Sequence, residues 1–292
     1  MPLRLFEYDP AAGRLTNLGR CSEATGEIYS FAHHEGKLYL SAYGSVHRSV
    51  YDPTKAYHFG KQPTDNPRAL GSIGHEQNRP HSTEVGFDGN IWTASRPAYG
   101  KYGGALSRLT PDTDATKVWR DLVPDQSLIS LAMDAEQGLV WCGTDIGGGR
   151  GTKPKAAEAV LFAFDPGTET VVFTCVPFPD AHGITALAFG SNGLLYCARD
   201  DGSDVAVFDT VQRRVIARLK APGTVRMEAL QLGDDGVLYG MAGDTFFRIA
   251  PKDHTVTVLG SYPGATRGFA LVGKTIFFAE GHTLMAARIV ED

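Results

Sequence analysis

Arginine, histidine and tyrosine recur in this chain beside short apolar stretches, and together they can do elimination chemistry. Arg79-Pro80-His81 precedes one such stretch, His182 a second, Arg226-Met227-Glu228 a third and Arg267 a fourth. Two Gly-rich segments add Arg96, Tyr99, Lys101 and Tyr102, then Arg150 and Lys153. Removing a proton α to a carboxylate requires that the carboxylate be neutralised, that a base take the proton and that an acid protonate the departing oxygen. Arg79, Arg96, Arg226 and Arg267 suit the first task, with Arg150, Lys153 and Gln126 as further substrate contacts. His81 or His182 is the expected base, and Tyr99, Tyr102 or the second histidine the expected acid. The expected function is therefore a carbon–oxygen lyase that acts by β-elimination on a uronate-containing saccharide or another small carboxylate, with no cofactor required.

Other chemistries fit these residues less well. Glu27 and Glu228 with His81 and His182 offer a ligand set for a divalent ion, the one cofactor the sequence leaves room for. No G-x-S-x-G elbow is present and Ser127 has no evident His-Asp pair, so a covalent nucleophile is not indicated. The run GTDIGGGRGTKP lacks the GK[ST] of a phosphate loop and reads as a mobile lid carrying Arg150 and Lys153. The rival from another class is a non-catalytic module that uses the same arginines to hold an anionic glycan or an acidic partner. A hydrolase or isomerase of a small metabolite is the third reading.

The elements that must position these residues repeat. A short apolar strand, a Gly, Asn or Asp turn and a second apolar strand recur at residues 28–40, 83–93, 129–142, 184–197, 229–240 and 268–278. A second hairpin type follows, marked by turns such as Tyr8-Asp9-Pro10, Tyr51-Asp52-Pro53, Phe164-Asp165-Pro166 and Phe208-Asp209-Thr210. Aspartate caps such turns and proline presets φ. Inner strands follow one another at intervals of roughly 40 to 56 residues, the range of propeller blades. The whole chain resembles the β-propeller superfamily, its GFDGNIW, GSNGLLY and GDDGVLY turns being similar to those of NHL-type and SMP-30-like propellers. The resemblance implies an all-β fold of six four-stranded antiparallel blades in a single domain over residues 1–292. The chain's ends would be joined in one blade, with residues 3–8 and 283–289 competing for its third strand. A seventh blade would lack its inner hairpin.

SMP-30-like lactonases hold a divalent ion with a Glu entering the first inner strand and with Asn and Asp from later blades. Glu27 matches the first position, but His182 and Arg226 stand at later ones, which argues against a lactonase. The mixture of Arg, His and Tyr is instead similar to that of propeller lyases that cleave uronic-acid glycosides or linearise a lactone antibiotic. In such a fold the residues before each inner strand, and the loops between second and third strands, rim one mouth of the channel. The candidate residues all belong to those segments. The same geometry assigns His33 and His34 to the opposite face, and Cys142, Cys197, Trp92 and Trp141 to the core.

Composition narrows the partners. The 292 residues carry 28 Lys plus Arg against 33 Asp plus Glu, a formal charge of −5, which argues against a nucleic-acid binder. No apolar run is long enough to cross a bilayer. The four cysteines form no CxxC, and the first residues have neither a basic nor an apolar leader region, so a cytoplasmic monomer is expected. A trimmed leader would make it a secreted one. A local cationic patch on a net-negative chain points to a carboxylate, sulfate or phosphate ligand.

Overall fold

The computed structural model describes residues 2–265 and 267–290, with Arg267 described by its backbone alone. The described residues form strands and turns, and no helix among them is long and apolar enough to cross a membrane. Strands β1 (Arg4–Asp9) and β2 (Arg14–Arg20) form a two-stranded sheet. The next sheet runs β3 (Ile28–His34), β4 (Lys37–Ala42), β5 (His47–Tyr51), β6 (Arg68–Ser72). It is followed by β7 (Gln77–Val85), β8 (Ile91–Pro97), β9 (Ala105–Leu109), β10 (Thr116–Arg120). The third four-stranded sheet is β11 (Ser127–Asp134), β12 (Leu139–Asp145), β13 (Leu161–Asp165), β14 (Thr170–Cys175). The fourth is β15 (Ile184–Phe189), β16 (Leu195–Arg199), β17 (Asp204–Asp209), β18 (Arg214–Lys220). The fifth is β19 (Val225–Leu232), β20 (Leu238–Ala242), β21 (Thr245–Ala250), β22 (Thr255–Ser261). A three-stranded sheet, β23 (Arg267–Val272), β24 (Thr275–Glu280), β25 (Thr283–Arg288), completes the order. Each sheet is an antiparallel meander of sequential strands, and the fold is that of a six-bladed β-propeller.

The repeated turns form for a local reason. In the turn before β8, Asp88 accepts the Asn90 backbone N–H at 3.1 Å and the Trp92 indole N–H at 3.1 Å, while Gly89 takes φ of 71°. Asp235 does the same before β20, accepting from Val237 N–H at 3.1 Å and the Tyr239 hydroxyl at 2.7 Å. One carboxylate thus closes the turn and fixes the aromatic anchor of the second strand. Outer turns are closed by Asp9, Asp52, Asp165 and Asp209, each accepting the N–H two residues on, as their spacing implies.

At the chain ends, β25 pairs with β24 throughout and so takes the third position that residues 3–8 would also have fitted. Among the described residues β1 is hydrogen-bonded to β2 alone, so the two ends lie in separate sheets rather than sharing one ladder. Met285, Ala287 and Ile289 explain the choice: their alternating apolar side chains pack on Ile276 and Phe278.

The chain clusters into two compact units, residues 1–129 with 147–155, and residues 130–146 with 156–292. The first holds β1–β10, and its second blade is braced by a stack of Trp92 on Trp119, centroids 5.6 Å apart and planes 13° apart. The second unit is built on larger apolar clusters, one around Trp141, Phe162-flanking Leu161 and Ala163, Phe178 and Phe208, and one around Tyr196, Leu238 and Phe247. Cys142 and Cys197 are fully buried there, as their second-strand positions imply.

Candidate active site

The first unit gathers eight of the expected site residues. β7 and β8 pair so that Arg79 stands directly opposite Arg96. Directly opposed like charges destabilise a ladder unless something negative lies near them. The Arg79 guanidinium lies 4.8 Å from the Tyr43 ring centroid and 5.4 Å from that of Tyr99, and it donates to the Tyr99 hydroxyl at 3.2 Å. Tyr43 and Tyr99 share a short hydroxyl–hydroxyl hydrogen bond. Tyr99 is 46% exposed, so this phenol faces solvent.

The electrostatics polarise the pair. The bond from Tyr43 holds the Tyr99 phenol below its ordinary range, with Arg79 and Arg150 pulling the same way, while the same bond pushes Tyr43 up. Of the two phenols, Tyr99 is thereby the more readily ionised. Arg150 arrives on the segment 147–155, whose backbone is tied to the β8–β9 loop. Gly100 N–H donates to the Arg150 carbonyl at 3.0 Å, and Gly149 N–H to that of Lys101 at 2.8 Å.

His81 differs from the expected base. It is 7% exposed, with its ring edge-on to Tyr29 at 5.4 Å. Burial, then Arg96 and Arg79, depress it to about 3, so it is neutral at physiological pH and a weak acceptor of protons. Tyr102 also differs: its hydroxyl donates to the Lys153 carbonyl at 2.8 Å and its ring lies 4.0 Å under the Lys155 ammonium. Tyr102 therefore pins the 147–155 segment. That segment is also held by Lys155 on Asp125 at 2.8 Å, while Lys101 and Arg120 both engage Glu76, at 2.7 and 2.6 Å. The Lys153 side chain is exposed, and Gln126 is buried with its carbonyl accepting Gly104 N–H at 2.7 Å.

The remaining expected residues lie in the second unit, apart from Glu27, which is exposed in the first. Arg226 spends its guanidinium on loop carbonyls, Gly243 at 2.5 Å and Ala265 at 3.0 Å, which makes it a staple rather than a free substrate clamp. His182 is exposed beside Asp201, and Glu228 sits at a left-handed φ of 57° in the bulge of β19. The side chain of Arg267 lies outside the described residues. The metal set of Glu27, Glu228, His81 and His182 is not gathered. Among the described residues no three His, Cys, Asp or Glu side chains come close enough to hold an ion.

Tyr43 and Tyr29 were not expected here. Tyr43 begins the loop between the second and third strands of the first blade, the same class of loop that supplied Tyr99, so the rule that found Tyr99 reaches it too.

No family model matches the chain, and no curated protein matches it. Among solved structures it is similar to a catalytically inactive histidine-to-alanine variant of virginiamycin B lyase from Staphylococcus aureus with quinupristin. That likeness has 11% identity and a TM-score of 0.73 over 98% of this chain and 88% of the other. It is similar to a protein described as a 6-phosphogluconolactonase from Bacteroides uniformis, at 15% identity and a TM-score of 0.66 over 98% and 87%. It is also similar to Kuenenia stuttgartiensis hydrazine synthase, at 11% identity and a TM-score of 0.72 over 99% and 90%. What these share with the chain is the propeller fold. Three chemistries on one fold mean that the site must decide.

Proposed function

We propose that the protein is a carbon–oxygen lyase that cleaves a uronate-containing saccharide by β-elimination at the Tyr99 cluster. The observation that carries this reading is an exposed phenol, deprotonation-biased by Tyr43, flanked by Arg79 and Arg150, with Arg96 in register beside Arg79. Arg79 and Arg96 hold the substrate carboxylate and stabilise the enolate-like charge that spreads onto it. Tyr99, the more readily ionised phenol, in its phenolate form takes the proton α to that carboxylate. The electron pair forms the new C=C bond as the β C–O bond breaks, and Tyr99 returns its proton to the departing oxygen on the same face. Tyr43 touches no reacting atom in this scheme and is a positioning residue. His81, neutral and buried against Tyr29, takes no part in the proton transfers. The lyase among the structural neighbours supports elimination on such a fold.

The test is ultraviolet absorbance of a conjugated double bond during incubation with glucuronate, galacturonate and mannuronate oligosaccharides. A rise with the native protein, abolished in Tyr99→Phe with binding retained, is expected. Binding without any absorbance change would overturn the lyase reading in favour of a non-catalytic anionic-glycan binder. That second reading is favoured by the Arg79 guanidinium held close to two tyrosine rings, a ready platform for an anion.

A further inference from the structure

The seam between the first two blades pairs an apolar cluster, Ala32, Tyr39, Ile91 and Leu109, with a polar stretch. Ser30 Oγ lies 2.7 Å from Thr83 Oγ1, which donates to Ser41 Oγ at 3.1 Å and lies 3.3 Å from Thr93 Oγ1. Arg48 on β5 is the register partner of Ser41 on one side and of Gly71 on the other. It is 4% exposed. Its Nη2 donates to Thr116 Oγ1, while Nε and Nη1 are buried and meet no acceptor of the described residues.

A buried guanidinium ordinarily keeps a carboxylate beside it, because an unpaired buried charge and unused N–H groups each cost free energy. The nearby carboxylate, Asp114, is committed elsewhere: its two oxygens accept from Arg68 at 2.5 and 2.9 Å. Burial pulls Arg48 down to about 10, so it still carries its charge at neutral pH. Its register partner Gly71 is half-buried, and a Cβ added there, where φ is 80°, would meet no heavy atom within 4 Å.

We propose that the buried Arg48 guanidinium, beside the open position at Gly71, binds one small monovalent anion, chloride in ordinary media, between the first and second blades. Nε and Nη1 are the buried donors left without an acceptor among the described residues, and a spherical single charge can take hydrogen bonds from both. A water molecule would accept those hydrogen bonds but leave the charge uncompensated.

The test compares thermal unfolding in chloride, in bromide and in methanesulfonate at equal ionic strength. The native protein is expected to gain about 5 °C once halide exceeds its dissociation constant about a hundredfold. Arg48→Met is expected to show no difference between the three salts. Equal melting of the native protein in all three, or an undiminished halide response in Arg48→Met, would overturn the site. Should Arg48→Met fail to fold, crystals of the native protein grown in bromide decide. An anomalous peak at Arg48 Nε and Nη1 supports the site, and a water there overturns it.

Discussion

A tyrosine phenol is unreactive at neutral pH, so what matters at Tyr99 is its neighbours. The hydrogen bond from Tyr43 is the largest of the effects that lower it, ahead of Arg79 and Arg150. Tyr43→Phe removes that bond, and the limb over which kcat/KM rises with pH should move to higher pH. Activity at neutral pH falls about tenfold for each unit of that movement and returns in alkaline buffer. A pH–rate profile checks this, and an unmoved limb would show that Tyr43 does not tune the base. Residue type and loop position singled out Arg79, Arg96, Tyr99 and Arg150, but the same rule also took in Tyr102 and Arg226, whose groups are bonded to loop carbonyls. His81 read as a base because the sequence cannot say how deeply a histidine is buried. Tyr102 read as an acid because its bond to a carbonyl 51 residues away leaves no local trace.

Strand β7 carries two titrating groups with opposite effects on stability. His81 is depressed from 6.5 to about 3, so the unfolded chain binds the extra proton in that window and stability falls as pH drops through it. Glu84 is raised by burial from 4.5 to about 7, so the folded chain holds the extra proton and stability falls as pH rises through that window. Between about 4.5 and 6.5 the two slopes cancel. Glu84→Gln should uncover the histidine slope, about 1.4 kcal/mol gained per pH unit on going up. His81→Asn should uncover the opposite slope, and denaturant midpoints across that range read both. Hairpins of this kind were legible because the turn chemistry is local: Asp88 and Asp235 sit at the same offset before an aromatic residue. The third strand of the last sheet was ambiguous, since residues 3–8 and 283–289 both alternate suitably and only packing on Phe278 separates them.

Across the whole molecule the formal charge is −5, yet the Tyr99 cluster is cationic. A uronate bound as proposed would feel the near arginines within a screening distance of about 8 Å at physiological salt, and acidic groups farther away hardly at all. Its KM should therefore rise with ionic strength, whereas that of its methyl ester stays flat; a falling KM for the acid would mean the net charge dominates. The all-β repeat architecture was legible throughout, because six recurrences of one turn outweigh any single doubtful strand. The partition of the site residues between two units was not, since equivalent positions in successive blades look alike in sequence.

That partition has an optical consequence. Only three tryptophans are present, and Trp92 stacks on Trp119 in the first unit while Trp141 is buried among phenylalanines in the second. Stacked indoles at that separation couple their electronic transitions, and any in-plane skew between their transition moments splits the circular-dichroism band as a lone indole cannot. The blade that carries Arg79, Arg96 and Tyr99 thus signs its own integrity in the spectrum, and Trp141 emission provides a separate channel for the other half of the chain.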